Sequence, residues 1–293
     1  MATKKAATTK KKSTTKSSAA RTSARKPVVT AAAHAPVASS RTVAAAASDS
    51  AIDSRSFSTA VNSLAFWRAL AFELVGTFLL ALAALIYQQT PLYILFALVG
   101  IVLVGGAVSG AHVNPAVTVA AWVTRRIGWV RLVGYLVAQV VGALLALVVL
   151  NAFIAGVPAP DASSSALGAS TPQLFKAATI DGKYGVALFF SEFVGTAILA
   201  FAAVHGLRQR AGKLVHAFAY AGGTFIGLTV AYTAASYYSA TAVLNPALAF
   251  GLQAVDWKWL PIVVYVVAPL VGGIVGFGLY DVLHGKLGKK TIA

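Results

Sequence analysis

Two copies of the tripeptide Asn-Pro-Ala are the first candidates for a functional site in this sequence. The first lies in "AHVNPAVTVA" (111–120) and the second in "AVLNPALAF" (242–250), both within apolar sequence. Asn is a favoured helix cap, and Pro suits the first turn of a helix, where its missing N–H is not needed. Each copy therefore predicts a helix start. The residues concerned are Asn114, Pro115, Ala116, Asn245, Pro246 and Ala247.

The chemistry that two such helix starts could supply is the recognition of a small neutral molecule. The side-chain amides of Asn114 and Asn245 can donate hydrogen bonds, and two helix N-termini facing one lumen repel cations from it. The chain leading into each helix cannot face lipid, because its backbone groups are unpaired, so it must line water or be buried in protein. The alternative is that each tripeptide is only a cap, but two copies in matching positions argue against it.

The composition indicates a membrane protein with several spans. The 293-residue chain is 58% hydrophobic and 11% charged, whereas soluble domains carry about 25% charged residues. Apolar segments of about 20 residues are typical of membrane spans, and six fall at roughly 66–87, 91–109, 132–155, 184–205, 215–236 and 260–283. The segments 112–123 and 243–254 are too short to cross, and each holds one Asn-Pro-Ala.

The two halves of the chain resemble each other. "FELVGTFLLALAAL" (72–85) aligns with "SEFVGTAILAFAAV" (191–204), which matches Glu73 with Glu192. Each half holds three spans, an odd number, so the second half enters the membrane from the opposite side. The sequence therefore predicts an all-α membrane protein with six transmembrane helices, two re-entrant half-helices and an inverted repeat. Such repeats place their site near the bilayer midplane, where the two half-helices would meet.

On these motifs the sequence resembles the aquaporins of the major intrinsic protein family. The resemblance is carried by "SGAHVNPAVTVA", the second "NPA" and the Glu-x-x-Gly-Thr of the first and fourth spans, and it covers about residues 66–283. It implies a pore in every subunit, a homotetramer, and passive movement of water or small uncharged solutes. It also implies that Glu73 and Glu192 accept hydrogen bonds from backbone N–H groups of the half-helix loops, and that His112 is a structural group; a pH gate at His112 is the alternative.

The sequence departs from the family directly after the second Asn-Pro-Ala. Water-selective and glycerol-type members normally carry Arg there, at the narrowest constriction, and this chain has Leu248. The family's spacing places the other constriction positions at Ile94, Thr233 (or Ala234) and Ala242. We therefore expect an apolar constriction in which Thr233 is the only possible polar group, and a selectivity unlike that of a strict water channel. Whether such a ring is wide or dewetted depends on its diameter.

Several functions fit these motifs, and the first is a passive channel for water and/or small neutral solutes. A glycerol-, urea- or ammonia-type facilitator is an alternative, although Ala249 stands where a glycerol specialist would carry Asp. A coupled secondary transporter would need Glu73 and Glu192 as a proton relay, and a non-conducting scaffold would use the basic tail. The sequence holds no cluster of nucleophile, base and acid and no cysteine, so we expect no enzyme activity, metal site or cofactor.

The net charge of +16 is concentrated at the chain ends. Residues 1–60 are rich in Lys, Arg, Ala, Ser and Thr and are predicted to be a disordered basic tail. Residues 61–285 form an aquaporin-like channel domain, with repeat one at 66–155 and repeat two at 184–283, and 286–293 form a short basic tail. The bias of Lys and Arg predicts a multi-pass cell-membrane protein with both termini cytoplasmic. The tail could contact anionic lipid, and no specific nucleic-acid partner is expected.

Overall fold

The structure, a computed structural model, describes residues 57–87, 89–208 and 212–285, so most of the predicted basic tail and the segment 286–293 lie outside it. Within those residues the secondary structure is entirely helical. Helices one to five are Leu64–Ile86, Pro91–Gly105, Trp129–Ala155, Gly185–Arg208 and Lys213–Ser236. Helix six comprises Trp259–Ile262, a π-helical turn at Val263–Val267, and Ala268–His284. Half-helix one is Pro115–Val123 and half-helix two is Pro246–Gly251, with shorter helices at Phe57–Val61, Ala162–Ala166 and Gly182–Tyr184.

Five of the six helices are long and apolar enough to cross a membrane: one, three, four, five and six. Helix two is apolar but has 15 residues. It ends at Gly105, earlier than the predicted 109, because the chain then turns through Ser109 and Gly110, where Gly110 has φ of 89°. The fold class is therefore the predicted one, an all-α membrane fold of six helices and two half-helices.

Each half-helix begins where its Asn-Pro pair predicts. Asn114 has extended backbone dihedrals, and its Oδ1 accepts a hydrogen bond from the N–H of Ala116 at 2.8 Å. Asn245 caps half-helix two in the same way, accepting from the N–H of Ala247 at 3.0 Å. A proline occupies the first helical position in both, where its fixed φ favours the helix and no N–H is lost.

The two repeats interlock through their half-helices. Half-helix one packs mainly against helix six, and half-helix two packs mainly against helix three. Each repeat thus holds the short helix of the other, and small residues make this possible: a methyl group added at Gly273 would lie 2.7 Å from the carbonyl oxygen of Ala116. Helices four and five make the most extensive pairing of the fold.

Gly227 lets helices four and five touch backbone to backbone. A Cβ at this position would lie 2.3 Å from the carbonyl oxygen of Gly195, which cannot move independently of helix four. We expect Gly227→Ala to force the helices apart and to destabilise the protein by about 1–3 kcal/mol, the usual cost of overpacking. The measurement is the thermal denaturation midpoint of the purified protein in detergent.

The matched control is Gly222→Ala in the same helix. A Cβ at Gly222 meets no atom within 4 Å, and Ala favours a helix more than Gly does. Gly222→Ala should therefore denature at or above the wild-type temperature. Equal midpoints for the two variants would show that this helix contact does not limit stability.

Candidate functional site

The starts of the two half-helices meet and are joined by a reciprocal pair of hydrogen bonds. Nδ2 of Asn114 donates to the carbonyl oxygen of Leu244 at 3.0 Å, and Nδ2 of Asn245 donates to the carbonyl oxygen of Val113 at 2.9 Å. Both Asn side chains are buried. Since an amide NH₂ group has two hydrogens, each Asn uses one of them to fix the opposite loop and has a second one for a molecule at the junction.

The residue before each Asn has a backbone conformation that is unusual for its type. Val113 has φ of 42° and Leu244 has φ of 58°, in the left-handed region that β-branched and bulky residues rarely adopt. This conformation turns the carbonyl groups of both residues toward the opposite Asn. Such strain persists only where surrounding contacts fix it.

Glu73 and Glu192 supply those contacts in equivalent ways. Oε1 of Glu73 accepts from the N–H of His112 at 2.9 Å and its Oε2 from the N–H of Val113 at 2.7 Å. Glu192 accepts from the N–H of Val243 at 2.6 Å and of Leu244 at 2.8 Å. Each carboxyl group therefore holds the two residues that precede an Asn-Pro-Ala. Both side chains are fully buried, Glu73 in helix one and Glu192 in helix four. The oxygens of both carboxyl groups accept hydrogen bonds from groups of the protein.

Two tyrosines extend the equivalence to helices three and six. Tyr135 donates its hydroxyl hydrogen to the carbonyl oxygen of Ser109 at 2.9 Å, and Tyr265 donates to that of Thr241 at 3.0 Å. Both accepting residues lie in the loops that lead into the half-helices. Tyr265 belongs to the π-helical turn of helix six, between Pro261 and Pro269. The sequence reading missed this pair, although the two tyrosines stand at corresponding places in the repeats.

Within the part of the chain that the structure describes, Glu73 has side-chain donors that Glu192 lacks, and the loop of repeat one has further polar contacts. Glu73 also accepts from Ser109 Oγ at 2.6 Å and from Gln139 Nε2 at 2.8 Å. His112 is buried beside Thr118, with Nδ1 3.2 Å from Thr118 Oγ1. The hydroxyl of Tyr220 donates to the His112 carbonyl at 2.6 Å. His112 thus sits within a hydrogen-bonded network rather than projecting freely into a lumen.

A small cavity, here called the central cavity, lies at the Asn junction next to half-helix two. Its volume is about 20 Å³, and a single water needs roughly 10–15 Å³ by the same measure. The wall is mainly apolar: Leu80, Ile94, Leu98, Leu199, Leu228 and Leu248. Its polar side chains are Asn114, Asn245, Gln89, Tyr220 and Thr224. A cavity of this volume is large enough for a molecule of about the size of water.

The structure brings two of the predicted constriction residues together at this cavity. Ile94 and Leu248 line it, and each is only 2% exposed. Ala242 is buried in the loop behind it, while Thr233 is exposed and donates to the carbonyl oxygen of Thr229. Neither Thr233 nor the half-buried Ala234 is in the cavity wall, and helix five contributes Leu228 instead. Gln89 is a wall residue that the sequence reading did not identify.

These features define the class of protein: a membrane channel formed by one chain, in which an inverted repeat brings two capped half-helices together around a narrow passage. A family model described as major intrinsic protein matches residues 86–280. The chain belongs to the major intrinsic protein family, whose members are channels for water and/or small solutes.

The chain is similar to several proteins named as aquaporins or probable aquaporins. It is 33% identical over 234 residues to the probable aquaporin AqpM of Archaeoglobus fulgidus, covering 76% of this chain and 79% of the relative. It is 32% identical over 203 residues to the aquaporin TIP1-1 of Arabidopsis thaliana, covering 64% and 68% respectively. Its fold matches that of the aquaglyceroporin from Plasmodium falciparum with a TM-score of 0.53 and 20% identity, covering 73% of this chain and 95% of that one.

Proposed function

We propose that this channel conducts water and solutes close to water in size, such as ammonia, past Asn114 and Asn245 and through a constriction formed by Ile94, Leu228 and Leu248. The observation that supports this proposal is the cavity of about 20 Å³ with its mainly apolar wall. Exclusion of cations then depends on the two half-helix N-termini, each with about half a positive charge, because no arginine stands at the constriction.

The proposal favours small solutes over polyols. The cavity of about 20 Å³ is of the size that one water needs, and glycerol has several times as many heavy atoms as water. Because position 248 is Leu, no guanidinium stands there to select solutes that accept hydrogen bonds. We therefore expect high water and ammonia permeability and little glycerol permeability.

We further propose the setting in which the channel works. The Lys and Arg bias supports a cell-membrane protein with both termini cytoplasmic. The family resemblance supports a homotetramer, and helices two and five offer exposed apolar side chains for contact with lipid or with other subunits, among them Phe96, Val104 and Ile226. The division into a basic tail at 1–60, a channel domain at 61–285 and a short tail at 286–293 stays a proposal, with the helix Phe57–Val61 at the first boundary.

The test is transport by proteoliposomes that contain the full chain. In a hyperosmotic step they should shrink faster than empty liposomes, with a low activation energy, and an ammonia gradient should change the internal pH faster than in empty liposomes. Glycerol uptake should stay close to the rate of empty liposomes. Glycerol uptake at a rate comparable to water efflux would refute the narrow constriction.

A further inference from the structure

Gln89 lines the central cavity and carries a buried hydrogen-bond acceptor. The residue lies between helices one and two, is 1% exposed and has φ of 56°. Its Nε2 donates to the carbonyl oxygen of Val243 at 3.2 Å, in the loop that leads to half-helix two. Its Oε1 is buried without a hydrogen-bond partner, and the side chain lines the cavity beside Ile94 and Leu248.

The bond to Val243 fixes the orientation of the Gln89 amide. The NH₂ end is directed toward a carbonyl oxygen, which only a donor can satisfy, so the oxygen is the opposite end. Buried polar atoms normally have a partner, and those that lack one call for an explanation. A solute in the cavity that donates a hydrogen bond would supply the missing partner of Oε1.

We propose that Gln89 is a specificity-determining residue of this channel, whose Oε1 accepts a hydrogen bond from a small neutral solute as the solute passes Leu248. This inference rests on the proposed function. Arginine at position 248 would present donors and a charge, whereas Gln89 presents a neutral acceptor from a different element of the fold. The acceptor favours molecules with O–H or N–H donors, and water benefits more than ammonia because its O–H is the stronger donor.

The first test replaces Gln89 by leucine, which has a similar size and no polar atom. In proteoliposomes, Gln89→Leu should lower water permeability roughly three- to tenfold, the equivalent of one net hydrogen bond. Ammonia permeability should fall less, so the ratio of ammonia to water permeability rises, and the activation energy of water permeation should rise. Gln89→Asn, whose residue type tolerates positive φ, withdraws the amide from the cavity and should raise the same ratio.

The matched control is Gln253→Leu. Gln253 has φ of 55°, almost the same as Gln89, but it is exposed and outside the central cavity. The same chemical change in the same backbone conformation should leave both permeabilities and the activation energy at wild-type values.

The outcomes separate this inference from the proposed function. If the wild type conducts but Gln89→Leu and Gln89→Asn keep its permeability ratio and activation energy, the role of Gln89 is refuted and the channel proposal stands. An equal loss of both fluxes with an unchanged activation energy would mean fewer active channels, and would reduce Gln89 to an anchor of the Val243 loop. A wild type that conducts neither water nor ammonia would overturn both proposals.

Discussion

Leu248→Arg is expected to lower ammonia permeability at least about tenfold while water permeability stays within a few-fold of wild type. Leu248 is 2% exposed and forms part of the cavity wall. A guanidinium there would add a fixed positive charge and several donors to a space of about 20 Å³. An unpaired buried charge is costly, but the free Oε1 of Gln89 gives the new side chain an acceptor. The measurement is the pair of stopped-flow fluxes in proteoliposomes.

The control for this variant is Leu248→Met, which conserves volume and polarity. Volume-conserving apolar exchanges usually cost little, so Leu248→Met should keep both fluxes. An unchanged ratio of ammonia to water permeability in Leu248→Arg would place the selective constriction elsewhere in the molecule.

Glu73→Gln is expected to lower the free energy of unfolding by about 3–6 kcal/mol. This loss is larger than that expected for the same change at the other buried carboxyl group, Glu192. Each oxygen of Glu73 accepts two hydrogen bonds: Oε1 from Ser109 and His112, and Oε2 from Val113 and Gln139. Replacing either oxygen by NH₂ leaves one buried backbone N–H without an acceptor, at about 1.5–3 kcal/mol. The bonds to Ser109 and Gln139 also become bonds between neutral groups, which are weaker by about 1 kcal/mol each. The freed loop would then release the positive φ of Val113.

Glu192→Gln provides the comparison within the same molecule. Each oxygen of Glu192 accepts one backbone hydrogen bond, from Val243 or Leu244, so the expected loss in the free energy of unfolding is about 1.5–3 kcal/mol. Thermal denaturation in detergent should therefore rank wild type above Glu192→Gln and Glu192→Gln above Glu73→Gln. Asp256→Asn, at an exposed acid beside Lys258, should denature close to wild type. The reverse order of the two glutamate variants would contradict the account of the loops.

The sequence alone predicts the helices, because each has a local pattern: six apolar segments give the six long helices, and two Asn-Pro pairs give the starts of the half-helices. The alignment of Glu73 with Glu192 predicts that the two carboxyl groups occupy equivalent places in the repeats. The asymmetry between the repeats can be read in the same way. Gln139 stands four residues after Tyr135, whereas Pro269 stands four residues after Tyr265, so only repeat one can offer its glutamate a side-chain amide at that place.

The residues that sequence pattern predicts least well depend on irregular backbone. The spacing of the family predicts Thr233 at the constriction, but helix five continues to Ser236 and the chain then turns at Ser239, with φ of 52°. In the structure helix five contributes Tyr220, Thr224 and Leu228 to the wall of the central cavity. Gln89 lies in a short link where its left-handed conformation turns the side chain inward, and no periodic pattern predicts the direction of such a residue.

The conduction path through the central cavity is the central claim, and cysteine accessibility tests it most directly. The chain has no cysteine, so a single introduced thiol is the only target of a small mercurial reagent. We predict that the reagent blocks water and ammonia flux through Leu228→Cys, whose side chain lies in the cavity wall, and leaves flux through Thr233→Cys unchanged. Block of Thr233→Cys with Leu228→Cys unaffected would contradict the account and place the pore on another face of helix five.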